Sequence, residues 1–398
     1  MKGRPRLRLV LLAVVVAALA GGLLAVIQGP AKRKPVLPGG SRFGAATTVH
    51  AGESLIDALA PLLANPGAAA GTAAIDAGVT RELAQLFVIG IDGTTVSPGA
   101  SARLRAHNWG GVVLGRPNYA APPQLAALTA AIGSALTTPP LVVARQAGGQ
   151  SNGFPKLPPA SEPSLGATGR PALVSAQAQL AARDLRPLGI NATLAPLADL
   201  AAAGGPAVER AYASDPDLVT AMVRAAVAGY GAGGLISIVA HFPGEGGASQ
   251  DPALGPATVG SVLPDLLSHD IKPFAAVAGQ APVIQVSDAL YAAFDGVTPA
   301  TLLPDAVALL RQRLHFQGVV LSGDLLAVTA ATGGSVADAA VRALKAGCDL
   351  LFLPGGATDA EAAYNAVLGA IRQGQLDPQA ISRSLARVAA LKKAYRIG

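Results

Sequence analysis

Residues 110–132 read GGVVLGRPNYAAPPQLAALTAAI: a short apolar run, Val112–Leu114, then turn residues, then a helical stretch, Pro122–Leu136. A run of that length, bounded by glycine and proline, suits a buried parallel strand, and the segment after it suits the helix that covers such a strand. The same unit recurs along the chain. Apolar runs lie at Leu86–Ile91, Val112–Leu114, Leu141–Ala144, Ala192–Ala195, Ile236–Ala240, Val283–Ser287, Val319–Ser322 and Leu350–Leu353. Further helical stretches are expected at Leu173–Leu188, Asp215–Gly231, Thr301–Leu314, Val336–Ala346 and Asp359–Arg372, with a closing one at Pro378–Tyr395. Asp215-Pro216 is a strong helix start, because an Asp cap accepts an otherwise exposed N–H and proline loses nothing at the first position. Eight strand–helix units over roughly 320 residues predict an α/β fold, a (β/α)₈ TIM-type barrel; an open α/β sheet is the alternative. In a barrel the chemistry belongs just beyond the strands' carboxyl ends, where the βα loops gather.

Composition agrees with one large domain. Hydrophobic residues make up 51% of the 398, charged residues 14% and aromatics 4%, so apolar burial must come mostly from small aliphatic side chains. The net charge of +6 is local: Lys2, Arg4, Arg6, Arg8, Lys32, Arg33 and Lys34 flank one apolar stretch, and no acid precedes Glu53. Without those seven, 23 of the 30 basic residues face 24 acids, which leaves no footprint for a phosphate backbone and excludes nucleic acid as a partner. The single cysteine, Cys348, permits no internal disulfide and reads as a small buried hydrophobe. The five histidines, His50, His107, His241, His269 and His315, show no HExxH or CxxC-like spacing, no GxGxxG or Walker-type loop opens a helix, and GGQSNG (148–153) and GATGR (166–170) read as ordinary turns.

Leu9–Ile27 is an apolar stretch of about the 20 residues a helix needs to cross a bilayer, with four basic side chains before it. It predicts one transmembrane helix ahead of the barrel: a cytoplasmic basic tip and signal-anchor over 1–29, with the rest of the chain extracytoplasmic. Ala18-Leu19-Ala20 has the small-x-small form of a peptidase site, so a cleaved, secreted form is the alternative. Residues 30–77 read as a juxtamembrane linker and a leading helical segment, with Leu55, Leu59 and Leu62 on one stripe, and 78–398 as the barrel.

Reading the predicted loops in order brings out a family. QLFVIGIDG (85–93) and the stretch 110–132 resemble the first two β-α units of the β-N-acetylhexosaminidase-like branch of glycoside hydrolase family 3. RQAGGQSNGFPKLPPASEPSLGATG (145–169) is similar to the stretch built on Asp-Gln-Glu-Gly-Gly, and LRPLGINATLAPLADL (185–200) to the one ending Ala-Pro-Val-x-Asp-Val. VERAYASDPDLV (208–219) resembles the Asp-Arg-Ser-Phe segment, and VAHFPGEGGASQDP (239–252) resembles Lys-His-Phe-Pro-Gly-His-Gly with its trailing Asp-Ser-His. FQGVVLSGDLLA (316–327) resembles Gly-Val-Val-x-Ser-Asp-Asp-Leu. The resemblance implies a retaining exo-glycosidase for terminal N-acetylglucosamine, working without metal, nucleotide or other cofactor. In that chemistry a carboxylate attacks the anomeric carbon while a His-Asp pair on a mobile loop protonates the leaving oxygen.

Carried over residue by residue, the catalytic set is broken. Gly323 stands at the nucleophile's position. Asp324 is adjacent, but alternation along a strand should aim it away from the pocket, unless a bulge at Gly323 turns it back. Asp251 matches the Asp of Asp-Ser-His, but Pro252 and Ala253 take the other two places. Glu245 replaces a His and is expected as a solvated loop carboxylate. Asp324, Glu245 and Asp251 are therefore catalytic candidates only if activity persists. For sugar binding the resemblance retains Arg210, His241 and Asp199. It loses a Lys to Ala240, an Asp to Arg145, a Glu to Ala147, and a His to Asp288. Asp199 is expected in a structural hydrogen-bonding role, and His241 as either core histidine or ligand contact. The leading expectation is a degenerate barrel that binds N-acetylglucosamine-containing glycan, such as a peptidoglycan fragment, at the cytoplasmic membrane. Two alternatives stand beside it, an active exo-β-N-acetylglucosaminidase with relocated carboxylates and a protein–protein scaffold of the cell envelope.

Overall fold

The computed structural model describes residues 78–397. Eight parallel strands close into a barrel: β1 Phe87–Gly90, β2 Gly111–Leu114, β3 Leu141–Ala144, β4 Ala192–Thr193, β5 Ile236–Phe242, β6 Val283–Val286, β7 Val319–Asp324 and β8 Leu350–Leu353. Each strand pairs with the next, and β8 returns to β1 through Phe87↔Leu351 and Val88↔Phe352, so the open-sheet alternative is excluded. The strands are buried on both faces, as expected where helices cover the outside and side chains fill the inside.

Small side chains set how closely the outer helices pack. Between Pro171–Leu185 and Pro216–Ala232, a Cβ added to Gly229 would lie 2.5 Å from the Ser175 carbonyl oxygen, so the two backbones touch where a larger residue would hold them apart. The capped start at Asp215-Pro216 is present, with Asp215 Oδ1 accepting the Asp217 N–H at 2.8 Å. One expected helix is different. Thr301–Leu314 is broken into a 3₁₀ turn Ala300–Leu302, a short helix Pro304–Ala308 and a π turn Leu309–Arg313. Pro304 has no N–H and pushes Leu303 out of the helical region, to φ −100° and ψ 118°. A helix not foreseen, Pro98–His107, buries only Ala100 and Leu104 and so carries little apolar periodicity; Ser97 caps it.

At the end of the barrel away from the strand tips, Asp349 precedes β8 and is buried. Its carboxylate accepts from the Val320 N–H (2.9 Å), Ser384 Oγ (2.8 Å), Arg387 (2.9 Å) and Arg311. Cys348 is buried beside it, and burial pushes its thiol up to about 12, which suits the inert hydrophobe expected from the sequence. The anchor Leu9–Ile27, the linker and the stripe Leu55, Leu59, Leu62 lie outside the described residues. Among the described residues no helix is long and apolar enough to cross a membrane.

Two irregularities in the ladder lie at the strand tips. Between β5 and β6 the register shifts after Val239, before Phe242. Between β7 and β8, Leu350 pairs with Leu321 but Phe352 pairs with Asp324, so β7 carries one extra residue at Ser322–Gly323. An extra residue in one strand re-aims the side chains that follow it.

Candidate functional site

The strand tips and the loops after them surround a cavity of ≈ 300 Å³ lined by Arg145, Arg210, His241, Glu245, Asp251, Asp288 and Asp324. Arg145 follows β3, Asp199 and Arg210 come from the loop after β4, His241 from β5, and Glu245 and Asp251 from the loop after it. Asp288 follows β6, and Asp324 ends β7.

A tight network joins Asp199, His241 and Glu245. Asp199 Oδ1 accepts the Glu245 N–H at 2.9 Å and the His241 N–H at 3.3 Å, while its Oδ2 lies 2.9 Å from His241 Nδ1. The same ring nitrogen is 3.0 Å from Glu245 Oε1, and the Ser287 hydroxyl donates to Glu245 Oε2 at 2.9 Å. Burial opposes charge on His241, but the carboxylates of Glu245 and Asp199 outweigh it and hold the imidazole above its ordinary range. Burial raises Glu245, against the pull of His241. Asp199, His241 and Glu245 each bring one donor atom within 4.8 Å of the others, and these side chains could hold a metal ion. No linear spacing announces them, because Asp199 lies 42 residues from His241.

At the tip of β7 the geometry is unusual. A Cβ added to Gly323 would lie 1.7 Å from Asp288 Oδ1, so the Asp288 carboxyl fills the direction a side chain there would take. Asp288 Oδ2 accepts the Asp324 N–H at 2.7 Å, and Oδ1 is buried without a hydrogen-bond partner. Burial first, then the charges of Asp324 and Glu245, raise Asp288 well above the carboxylate range, which favours its neutral form. Thr301 Oγ1 accepts the Gly323 N–H at 2.8 Å and holds the turn. Asp324 Oδ1 accepts the Leu326 N–H at 3.0 Å and caps the helix Leu325–Thr332, while Oδ2 lies 3.6 Å from Arg145. Burial raises Asp324 too.

Two expectations need correction. Glu245 is not a solvated loop carboxylate: it is 4% exposed, because the Asp199 side chain and Ser287 draw its loop onto the barrel top. Asp324 does not point away from the pocket. The extra residue at Ser322–Gly323 turns it to the cavity wall, where helix capping engages it. Asp251 caps the turn Pro252–Leu254 through the Ala253 N–H and stands 3.3 Å from Arg210, whose Nε also donates to the Pro206 carbonyl. Asp199 makes the hydrogen bonds expected of it. Ser287, Thr301 and the buried Glu162, which accepts the Leu197 N–H at 3.0 Å, were not singled out from the sequence. Nothing in their spacing marks them, since each partner comes from another strand or loop.

The glycosyl hydrolase family 3 N-terminal domain matches residues 79–391. A β-hexosaminidase of Methylococcus capsulatus is 34% identical over 252 residues, 61% of this chain and 75% of the relative. One of Xanthomonas campestris pv. campestris is 32% identical over 277 residues, 67% and 84% of the two chains. Among solved structures, a glycoside hydrolase family 3 β-N-acetylglucosaminidase from a Paenibacillus species superposes with a TM-score of 0.76 at 29% identity, covering 80% of this chain and 62% of that one. This chain thus spans less than two thirds of that protein's length. A β-N-acetylhexosaminidase from Beutenbergia cavernae superposes with a TM-score of 0.72 at 28% identity, over 79% of this chain and 98% of its own. With its closed barrel, its loop motifs in family order and these likenesses, the chain belongs to glycoside hydrolase family 3, in the β-N-acetylhexosaminidase-like branch.

Proposed function

We propose that the protein binds N-acetylglucosamine-containing cell-wall glycan through this cavity and is catalytically impaired, held on the outer face of the cytoplasmic membrane by Leu9–Ile27. The observation that carries the impairment is the β7 tip. Retaining hydrolysis needs an anionic oxygen facing the anomeric carbon, and Gly323 has none to offer. The neighbouring acids are otherwise occupied: Asp324 caps a helix, Asp251 caps a turn and faces Arg210, and Glu245 faces His241 and accepts from Ser287. Loss of one member of a concerted catalytic set costs several powers of ten, and here nucleophile and imidazole donor are both replaced. Arg210 and His241 remain at the cavity to meet hydroxyl and acetamido groups.

A second reading, hydrolysis by relocated carboxylates, has one observation in its favour: an acid, Asp288, does stand in the vacated direction at Gly323. An activated aryl N-acetyl-β-glucosaminide separates the two, because its leaving group needs no proton and only the nucleophile is tested. The full-length chain is expected to give no turnover, and Gly323→Asp combined with Asp288→Ala to give some. Wild-type turnover abolished by Asp288→Ala or Asp324→Ala would establish hydrolysis instead. Calorimetry of the same protein with N-acetylglucosamine tests binding, and the absence of heat at millimolar sugar would remove the glycan reading. Protease protection of the chain in intact cells tests its membrane position.

A further inference from the structure

Beside the cavity at the β7 tip lies a second hollow of ≈ 320 Å³, continuous with it through Arg145, Leu194, Arg210 and His241. Its chemistry is different. The first hollow is bordered by Glu245, Asp251, Asp288 and Asp324; no acidic side chain lines the second among the described residues, and three arginines do, Arg116, Arg145 and Arg210. Their positions are built. Arg145 follows β3 directly and lies over the backbone of Gly115, where an added Cβ would stand 3.4 Å from its Cδ, and its guanidinium rests 5.5 Å from the centre of the Phe352 ring. Its pairing with Asp324 is long, 3.6 Å, and uses one end of the fork. Arg210 is fixed through Nε to Pro206 and through Nη2 to Asp251, which leaves Nη1 for a ligand. Arg116 pairs with no carboxylate among the described residues and is exposed at the mouth.

Guanidinium groups converging on one hollow form charge-assisted, often forked hydrogen bonds with carboxylate and phosphate, and a neutral sugar has no group that draws on three of them. We propose that the ligand is an acidic sugar: its ring sits in the hollow at the β7 tip, and a carboxylate or phosphate that it carries is bound by Arg116, Arg145 and Arg210. The proposal rests on the glycan reading above and names the class of glycan. His241 borders both hollows.

Calorimetry on the full-length chain in mild detergent tests this with three probes: N-acetylglucosamine as the neutral sugar, N-acetylmuramic acid for a carboxylate, and N-acetylglucosamine 6-phosphate for a phosphate. At least one acidic probe is expected to bind about tenfold or more tighter than the neutral one, with the advantage shrinking as salt is raised. The stronger of the two acidic arms identifies the group. Arg116→Gln, at an exposed position that borders only the second hollow, should reduce the acidic preference while leaving N-acetylglucosamine affinity within about twofold, and Arg145→Gln should also reduce the acidic preference. Equal affinity for neutral and acidic probes, or an acidic preference untouched by both substitutions, overturns the proposal and leaves glycan binding standing. Silence from all three probes overturns both.

Discussion

The Asp288 carboxyl stands where a side chain on Gly323 would have to go, with Oδ1 only 1.7 Å from an ideal Cβ at that residue. Gly323 lies near the tip of β7 and Asp288 just after the neighbouring strand β6, and the two positions are coupled: a side chain at 323 and the acid at 288 cannot share this space without movement.

Gly323→Ala is therefore expected to destabilise the barrel by about 1–3 kcal/mol, the usual cost of an overfilled core. Asp288→Ala in the same chain should recover most of that loss, with a coupling of roughly 0.5–3 kcal/mol between the two sites. Denaturant unfolding of the four proteins of the cycle measures it. Additive effects would mean that Asp288 swings clear at no cost.

His241 should be protonated above neutral pH, because Glu245 and Asp199 face its Nδ1 and outweigh the burial that opposes charge. The raised value makes the sign definite. Its contribution to stability is complete below the ordinary imidazole value of 6.5 and is lost as pH rises through the higher folded value. NMR titration of the ring should show a midpoint above 6.5 that drops in Glu245→Gln. A midpoint unchanged by the substitution would contradict the pairing.

Asp349 binds two arginines, a serine and a backbone N–H from a buried position. Asp349→Ala strands those donors and should cost about 3–5 kcal/mol, as removal of one side of a buried ion pair does. Thermal unfolding measures the loss. A shift no larger than that of a surface substitution would show the network to be dispensable.

Lys392 is buried, and its Nζ donates to Gln85 Oε1 at 2.7 Å; burial lowers it to about 8. Between that value and the unfolded 10.5, the unfolded chain holds the proton and the folded one does not, so stability should rise with pH across this window. Lys392→Met should abolish the rise and stabilise the protein at neutral pH by about 1–2 kcal/mol, once the lost hydrogen bond is set against the relieved burial. Melting temperatures of both proteins near pH 7 and near 10 compare them directly; parallel curves would refute it.

Much of this was readable along the chain. All eight apolar runs begin and end within two residues of their strands, because burial on both faces makes these strands continuously apolar, and the helix Val336–Ala346 has the expected ends. The run Ala192–Ala195 overlaps its strand, Ala192–Thr193, for two residues only, where the chain turns away at Leu194 toward the site. Thr301–Leu314 misled because its apolar spacing suits a helix while Pro304 interrupts the hydrogen bonding.

What the sequence by itself determined is the barrel, the family, and the bare position at Gly323 with no imidazole at Pro252 or Ala253. Those depend on residue identity and on periodicity, which are local. Only the tertiary structure decided that Asp288 enters the space at Gly323, that Glu245 is buried against His241, that Asp324 turns to cap a helix at the cavity wall, and that Arg116, Arg145 and Arg210 share one hollow. These follow from where Cβ vectors point after a one-residue bulge and from which strands closure makes neighbours, and neither is written in spacing along the chain.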